Sequence, residues 1–326
     1  MPKLTYREAV VRALADEMRA DSDVVFFGED VAVAGGVFKV TPGLYEEFGP
    51  ERVRDTPISE QAFIGMALGA SITGLRPVAE LMFADFIPVA MDQIANQIAK
   101  YRYMSGGQFI VPVTIRAAQG GGAGFGTQHS ACAESWLMNF PGLMIAVPAT
   151  PADAYGLLRS AIRENNPVIV LEHKFLYNMS EEIDDSALQP VPLGQAKIRR
   201  EGRDLTIVAT QLVLQRALEA AEILAAEGVD VEVIDPRTLV PLDKATIVAS
   251  IRKTGRLVIV EENPHGGGWG GTIASLAADE CIYWLEAPVK RVNMGEALVA
   301  YSPPLEDAVI PNVERIAAVA REVMAS

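Results

Sequence analysis

Short, largely apolar runs recur along this chain, each followed by a stretch with helical spacing. Val24-Val25-Phe26-Phe27-Gly28 is the first, and Pro77–Met82, Val113–Arg116, Met144–Val147 and Val168–Leu171 repeat the theme. A strand apolar on both faces must be covered on both, as in a parallel sheet held between helices. Helices are expected at Thr5–Ala20, from Ser59 through Ile72, at Val89–Tyr103 and at Ala152–Glu164. Thr5 with Glu8 three residues later makes a capping box for the first of them. The alternation predicts an α/β fold.

The chain has 326 residues, long for a single domain. The pattern breaks at Asn178–Leu193, where Glu181-Glu182, Asp184-Asp185, Pro190 and Pro192 cluster. This sets a linker at 181–195 between domains at 1–180 and 196–326. A second α/β set follows, with strands at Leu205–Ala209, Val231–Ile234 and Leu257–Val260. Its helices are expected at Val213–Glu227, Asp243–Lys253 and Thr272–Leu285. The formal net charge of −14 argues against nucleic acid or an anionic membrane as partner and suits basic proteins. No apolar run approaches the ~20 residues that span a bilayer, and the N-terminus lacks an apolar signal core, so a cytoplasmic chain is expected. Cys132 and Cys281 form no CxxC or zinc pattern and read as reduced thiols.

The stretch Asp55-Thr56-Pro57-Ile58-Ser59-Glu60-Gln61-Ala62-Phe63 places one carboxylate among apolar neighbours at a helix start. Pro57 disfavours a helix before it, and Ser59 can cap the helix after it. Glu60 could simply serve the helix dipole, or it could serve a site. Glu29-Asp30 stand at the end of the first strand, where ligands of open α/β sheets gather. Gly65 and Gly69, four apart on one helix, point to a close approach, either within the domain or between subunits.

Two glycine-rich loops compete for attention. Residues 120–126 have neither GxGxxG spacing nor the Lys-Ser/Thr ending of a P-loop, and their expected use is to bring backbone near a ligand and aim His129. His173, closing a strand, reads as structural. Gly266–Gly271 satisfies GxGxxG between a strand and a helix, the context of an NAD-dependent oxidoreductase. Against that reading, Asn263-Pro264-His265 intervene, so the tight strand-to-helix turn is missing. No Gly-x-Ser-x-Gly elbow or HExxH motif is present. The residues alone leave a two-domain α/β protein with Glu60, Phe86 and His129 at plausible site positions.

Several segments together resemble the beta subunit of the thiamine diphosphate-dependent decarboxylating component of 2-oxoacid dehydrogenase complexes, with the acetoin dehydrogenase beta subunit in the same group. They are Gly28-Glu29-Asp30-Val31, Thr56–Glu60, Glu80–Phe86, Asp92-Gln93-Ile94, Ala99–Tyr103, Gln128-His129-Ser130, Pro141-Gly142-Leu143 and Asp235–Thr238, spread in order over nearly the whole chain. The resemblance implies a transketolase-like pyrimidine-binding domain followed by a transketolase C-terminal α/β domain. It also implies an α₂β₂ heterotetramer with thiamine diphosphate held between alpha and beta subunits, and Mg²⁺ held by the alpha subunit. Glu60 matches the glutamate that hydrogen-bonds N1′ of the aminopyrimidine. Phe86 matches the aromatic packed on that ring, Glu29 and Met82 fall among the cofactor-binding segments, and His129 matches the histidine that guides substrate and transfer to lipoyl. Val111, Val113, Thr114, Ala161, Glu164 and Asn166 match a structural K⁺ loop. Docking of a lipoyl acyltransferase core on the C-terminal domain is implied as well. Glu261-Glu262-Asn263-Pro264 and Glu172-His173-Lys174 lie nearer the acetoin type, so pyruvate, branched-chain 2-oxoacids and acetoin all stand as substrates.

Overall fold

The computed structural model describes residues 3–184, 186 and 188–326; Asp185 and Ala187 of the expected linker lie outside the described residues. The chain divides into two compact units, residues 1–119 with 136–193, and residues 120–135 with 194–326. The glycine loop at 120–126 thus belongs to the second unit, although its place in the sequence is within the first set of strands.

The strands in chain order are β1 (Lys3–Thr5), β2 (Val24–Gly28), β3 (Val53–Asp55), β4 (Arg76–Leu81), β5 (Thr114–Gln119), β6 (Met144–Ala146), β7 (Val168–His173) and β8 (Ser180–Glu182). In the first unit they lie in the order β6-β7-β5-β4-β2-β3, every neighbouring pair parallel. Strands β4, β5 and β7 are buried along nearly their whole length, as expected of runs covered on both faces. Helix Tyr6–Ala20 begins at the anticipated capping box and packs on helix Pro151–Arg163. β1 and β8 form a separate antiparallel pair.

Two expectations shift. The helix expected at Val89–Tyr103 runs from Ile87 to Met104, with a π-wound middle at Asp92–Ile98. Ser59 does stand at the N-cap of helix Glu60–Ile72, but it is exposed and its side chain makes no capping hydrogen bond. A Cβ on Gly65 would meet the Gln93 side chain at 3.1 Å, whereas one on Gly69 would meet nothing within 4 Å. The close approach within this unit is therefore by a side chain, at one glycine of the two.

The second unit holds β9 (Lys197–Arg200), β10 (Leu205–Ala209), β11 (Val231–Asp235), β12 (Thr238–Val240), β13 (Leu257–Pro264) and β14 (Lys290–Met294). Its sheet runs β14-β13-β10-β11-β9, parallel except for the antiparallel edge strand β9. Helix Gln211–Ala226 packs with Val313–Met324, and Lys244–Thr254 packs with Gly270–Cys281. Among the described residues no helix is long and apolar enough to cross a membrane.

Candidate active site

In the first unit the acidic residues gather at the carboxyl ends of parallel strands, the usual ligand position of such sheets. Glu29 follows β2, and Glu60 is the first residue of its helix. Hydrogen bonds join the two loops: Thr56 N–H donates to Gly28 O at 2.8 Å, and Ala32 N–H donates to the Asp55 carboxylate at 2.8 Å. Gly28 faces Glu80 on β4, and a Cβ there would lie 2.7 Å from the Glu80 carbonyl oxygen. Only glycine lets β2 run this close to β4 at that point.

Both carboxylates are buried, Glu29 to 6% exposure and Glu60 to 7%. Glu29 Oε1 has no hydrogen-bond partner among the described residues. Burial, followed by repulsion from Glu60, Asp30 and Glu80, pushes the Glu29 carboxyl up to about 7. A carboxyl at that value can give or take a proton near neutrality. A buried acceptor without a partner costs about 1–3 kcal/mol, which a donor from water or a ligand offsets. An aminopyrimidine, with ring nitrogen and amino group, is such a partner.

Met82 directly follows β4, and Phe86 ends the short 3₁₀ turn Ala84–Phe86; both are half-buried. Phe86 packs edge-on against Phe83 with centroids 5.9 Å apart, and Phe83 meets Phe38 at 5.3 Å. Beneath them lies a charge network that the sequence reading missed. Arg116 donates two bonds to Glu172, at 2.7 and 2.8 Å, and one to Glu80 at 2.6 Å; the Tyr177 hydroxyl adds a bond to Glu172 at 3.0 Å. Burial raises Glu80 despite the arginine, and raises Tyr177 so that it keeps the proton it donates. The available signal was three charged residues inside otherwise apolar strands.

The proposed K⁺ residues meet where β5 begins and helix Pro151–Arg163 ends. The carbonyls of Val111, Val113 and Ala161 accept N–H groups of Val113, Val168 and Glu164 at 2.8, 3.0 and 3.2 Å, each leaving a second lone pair. The Glu164 side chain accepts from Asn165 and Asn166, and Arg76 takes the Glu164 carbonyl at 2.8 Å.

His129 lies in the second unit, half-buried at the foot of the glycine loop. His173 is fully buried and its Nδ1 accepts the Phe175 N–H at 3.2 Å, a structural role as expected. The Gly266–Gly271 loop is filled from within at Gly268 and Gly270, where a Cβ would meet the Glu261 carboxylate. Glu261 accepts the Gly270 N–H at 2.8 Å and binds Arg291 and Asn293, and a Cβ on Gly270 would lie 2.5 Å from it. β13 also continues to Pro264 before the loop, so the dinucleotide reading finds neither the tight turn nor an open cradle.

Two family models match the chain: transketolase, pyrimidine-binding domain over residues 2–180, and transketolase, C-terminal domain over residues 194–316. The chain is 46% identical to "Pyruvate dehydrogenase E1 component subunit beta, mitochondrial" of Pisum sativum, over 98% of this chain and 90% of that protein. It is 41% identical to "2-oxoisovalerate dehydrogenase subunit beta" of Bacillus subtilis, over 99% of each. It is 43% identical to "Acetoin:2,6-dichlorophenolindophenol oxidoreductase subunit beta" of Cupriavidus necator, over 99% of this chain and 98% of that protein. A solved structure titled "Split gene transketolase, inactive beta4 tetramer" superposes with a TM-score of 0.82 at 26% identity, covering 99% of both chains.

Proposed function

The chain belongs to the transketolase-like family of 2-oxoacid and acetoin dehydrogenase beta subunits, and we propose that it is the beta half of a thiamine diphosphate-dependent decarboxylating enzyme that passes an acyl group to lipoyl. The observation that carries this reading is the pair of buried carboxylates, Glu29 and Glu60, with one Glu29 oxygen lacking a partner among the described residues. Such a pocket fits an aminopyrimidine better than it fits a second anion.

In this reading Glu60 would hold the aminopyrimidine by a hydrogen bond to N1′. Glu29 offers a second carboxyl able to exchange a proton near neutrality, and Met82 and Phe86 wall the ring with apolar surface that excludes water. When bound, the cofactor supplies the electron sink that decarboxylation requires. His129 orients the substrate and assists transfer to lipoyl. Mg²⁺ and the diphosphate fall to an alpha subunit in an α₂β₂ assembly, since this chain carries no Gly-Asp-Gly motif. K⁺ is assigned to the carbonyls of Val111, Val113 and Ala161 with Glu164 and Asn166. Residues 1–180 form the pyrimidine-binding domain, 181–195 the linker, and 196–326 the C-terminal domain that docks the acyltransferase core. A cytoplasmic location completes the assignment.

Pyruvate is the substrate proposed first, with acetoin the alternative favoured by Glu261-Glu262-Asn263-Pro264. The test is reconstitution with a matching alpha subunit, thiamine diphosphate and Mg²⁺. The pair is expected to reduce an artificial electron acceptor with pyruvate, a branched-chain 2-oxoacid or acetoin, and this chain alone is expected to do nothing. Full activity without an alpha subunit would overturn the shared-site reading.

A further inference from the structure

The glycine loop of the second unit is organised around an anion that the chain itself provides. Glu306, on the short helix Pro303–Val309, is 3% exposed. Its two carboxylate oxygens accept the Gly122 N–H at 2.7 Å and the Gly124 N–H at 3.0 Å. Gly120, Gly122 and Gly124 have φ of +85°, +89° and +72°, so left-handed residues alternate with others along the loop. The Gly122 and Gly124 N–H groups turn toward Glu306, while the Gly121 N–H donates to a second carboxylate, Glu262, at 3.3 Å. No lysine or arginine pairs with Glu306 among the described residues, so its charge is met by loop backbone.

The rest of the loop is fitted to the same segment. A Cβ on Gly121 would lie 2.5 Å from Ile310, and one on Gly126 would fall on the Tyr301 ring. Thr127 Oγ1 donates to the Val299 carbonyl at 3.2 Å. The loop closes where Gly120 N–H meets Ala131 O at 3.1 Å, and His129 N–H returns to Gly126 O at 3.4 Å. His129 therefore stands on a backbone path clamped at both ends, with few rotatable links left between clamp and imidazole.

We propose that Glu306 is the positioning residue for His129: its carboxylate holds the N–H groups of Gly122 and Gly124 and fixes the loop on which the imidazole is carried. Glu306 touches neither substrate nor cofactor in this account. The catalytic consequence rests on the reading of His129 given above, whereas the clamp itself does not.

Glu306→Gln, of nearly equal shape, keeps one acceptor and presents an amide to the other N–H. Amide hydrogen exchange on the full chain, with and without the alpha subunit, reads the clamp directly. Exchange at residues 121–130 is expected to accelerate by roughly ten- to a hundredfold, the loss of one charge-assisted bond. Glu306→Asp, which keeps the charge, is expected to fall between the two and covers the case in which the glutamine variant does not fold. Turnover of the reconstituted pair is measured alongside, in a cycle with His129→Ala. Glu306→Gln is expected to lower kcat more than it raises KM, and to add little once His129 is gone. Unchanged exchange in both variants would overturn the clamp. Faster exchange with fully additive kinetic losses would overturn the link to His129. A pair inactive with every substrate would instead count against the functional reading, with the exchange result still deciding the clamp.

Discussion

Glu80 and Arg116 occupy the same register of adjacent parallel strands, and the guanidinium donates to the carboxylate at 2.6 Å with both side chains buried. Glu172, two strands from Glu80, accepts from the Nε–Nη2 edge of the same guanidinium. One cation thus holds two carboxylates, and its loss would leave both without a counter-charge.

Replacing Arg116 by methionine keeps the volume and removes the charge. A loss of about 3–5 kcal/mol of unfolding free energy is expected, because breaking a buried pair strands its partners. Urea unfolding of the full chain measures it. A loss under about 1 kcal/mol would mean that the carboxylates are neutral and need no arginine.

Glu29 makes stability depend on pH. Its carboxyl is raised from 4.5 to about 7, so the folded chain keeps a proton that the unfolded chain releases. The stability tied to that proton is complete below pH 4.5 and is lost as pH rises through about 7. Glu29→Gln does not titrate, and its melting temperature is expected to vary less over that window than the parent's. Parallel melting profiles would contradict the raised value.

The second glycine loop is expected to answer to stability rather than to nucleotide. Gly270→Ala places a Cβ 2.5 Å from the Glu261 carboxylate and 2.9 Å from Ile259, an overpacking expected to cost about 1–3 kcal/mol. Gly266→Ala meets nothing within 4 Å and is expected to stay within about 0.5 kcal/mol. Isothermal titration of the parent with NAD⁺ serves as the companion measurement, and binding weakened equally by both substitutions would restore the dinucleotide reading.

His129→Ala is expected to reduce lipoyl-dependent turnover by about a hundredfold or more, in the range of a lost proton-transfer group. Turnover with an artificial acceptor is expected to fall less. Equal losses in the two assays would move the histidine's work to the decarboxylation step.

Much of the fold was legible because its signals are local. Val24–Gly28 and Leu205–Ala209 read as strands from a few apolar residues, and Thr5 with Glu8 marked a helix start at its true position. Glu29, Glu60 and Phe86 could be marked from the residues as candidate positions, but the roles proposed for them, and Met82 altogether, came only through resemblance, since a first-turn glutamate has an ordinary explanation. The Glu80–Arg116–Glu172 network was hidden by strand order, for β4, β5 and β7 are neighbours in space but not consecutive in the chain. Glu306 was hidden by distance: its partner Gly122 is 184 residues away, and no periodicity links a short helix to a loop so remote. The glycines at 120–126 were expected to bring backbone near a ligand, and the groups their N–H donors meet are carboxylates of the same chain, Glu306 and Glu262.

Glu60 bears the central claim, and Glu60→Gln tests it most directly. In the reconstituted pair the variant is expected to bind thiamine diphosphate and assemble normally, while exchange of the cofactor's thiazolium C2 proton, followed by quenched-flow NMR, falls by about 10²–10⁴. Exchange at the parent rate, with cofactor bound, would contradict the assignment of Glu60 to the pyrimidine nitrogen.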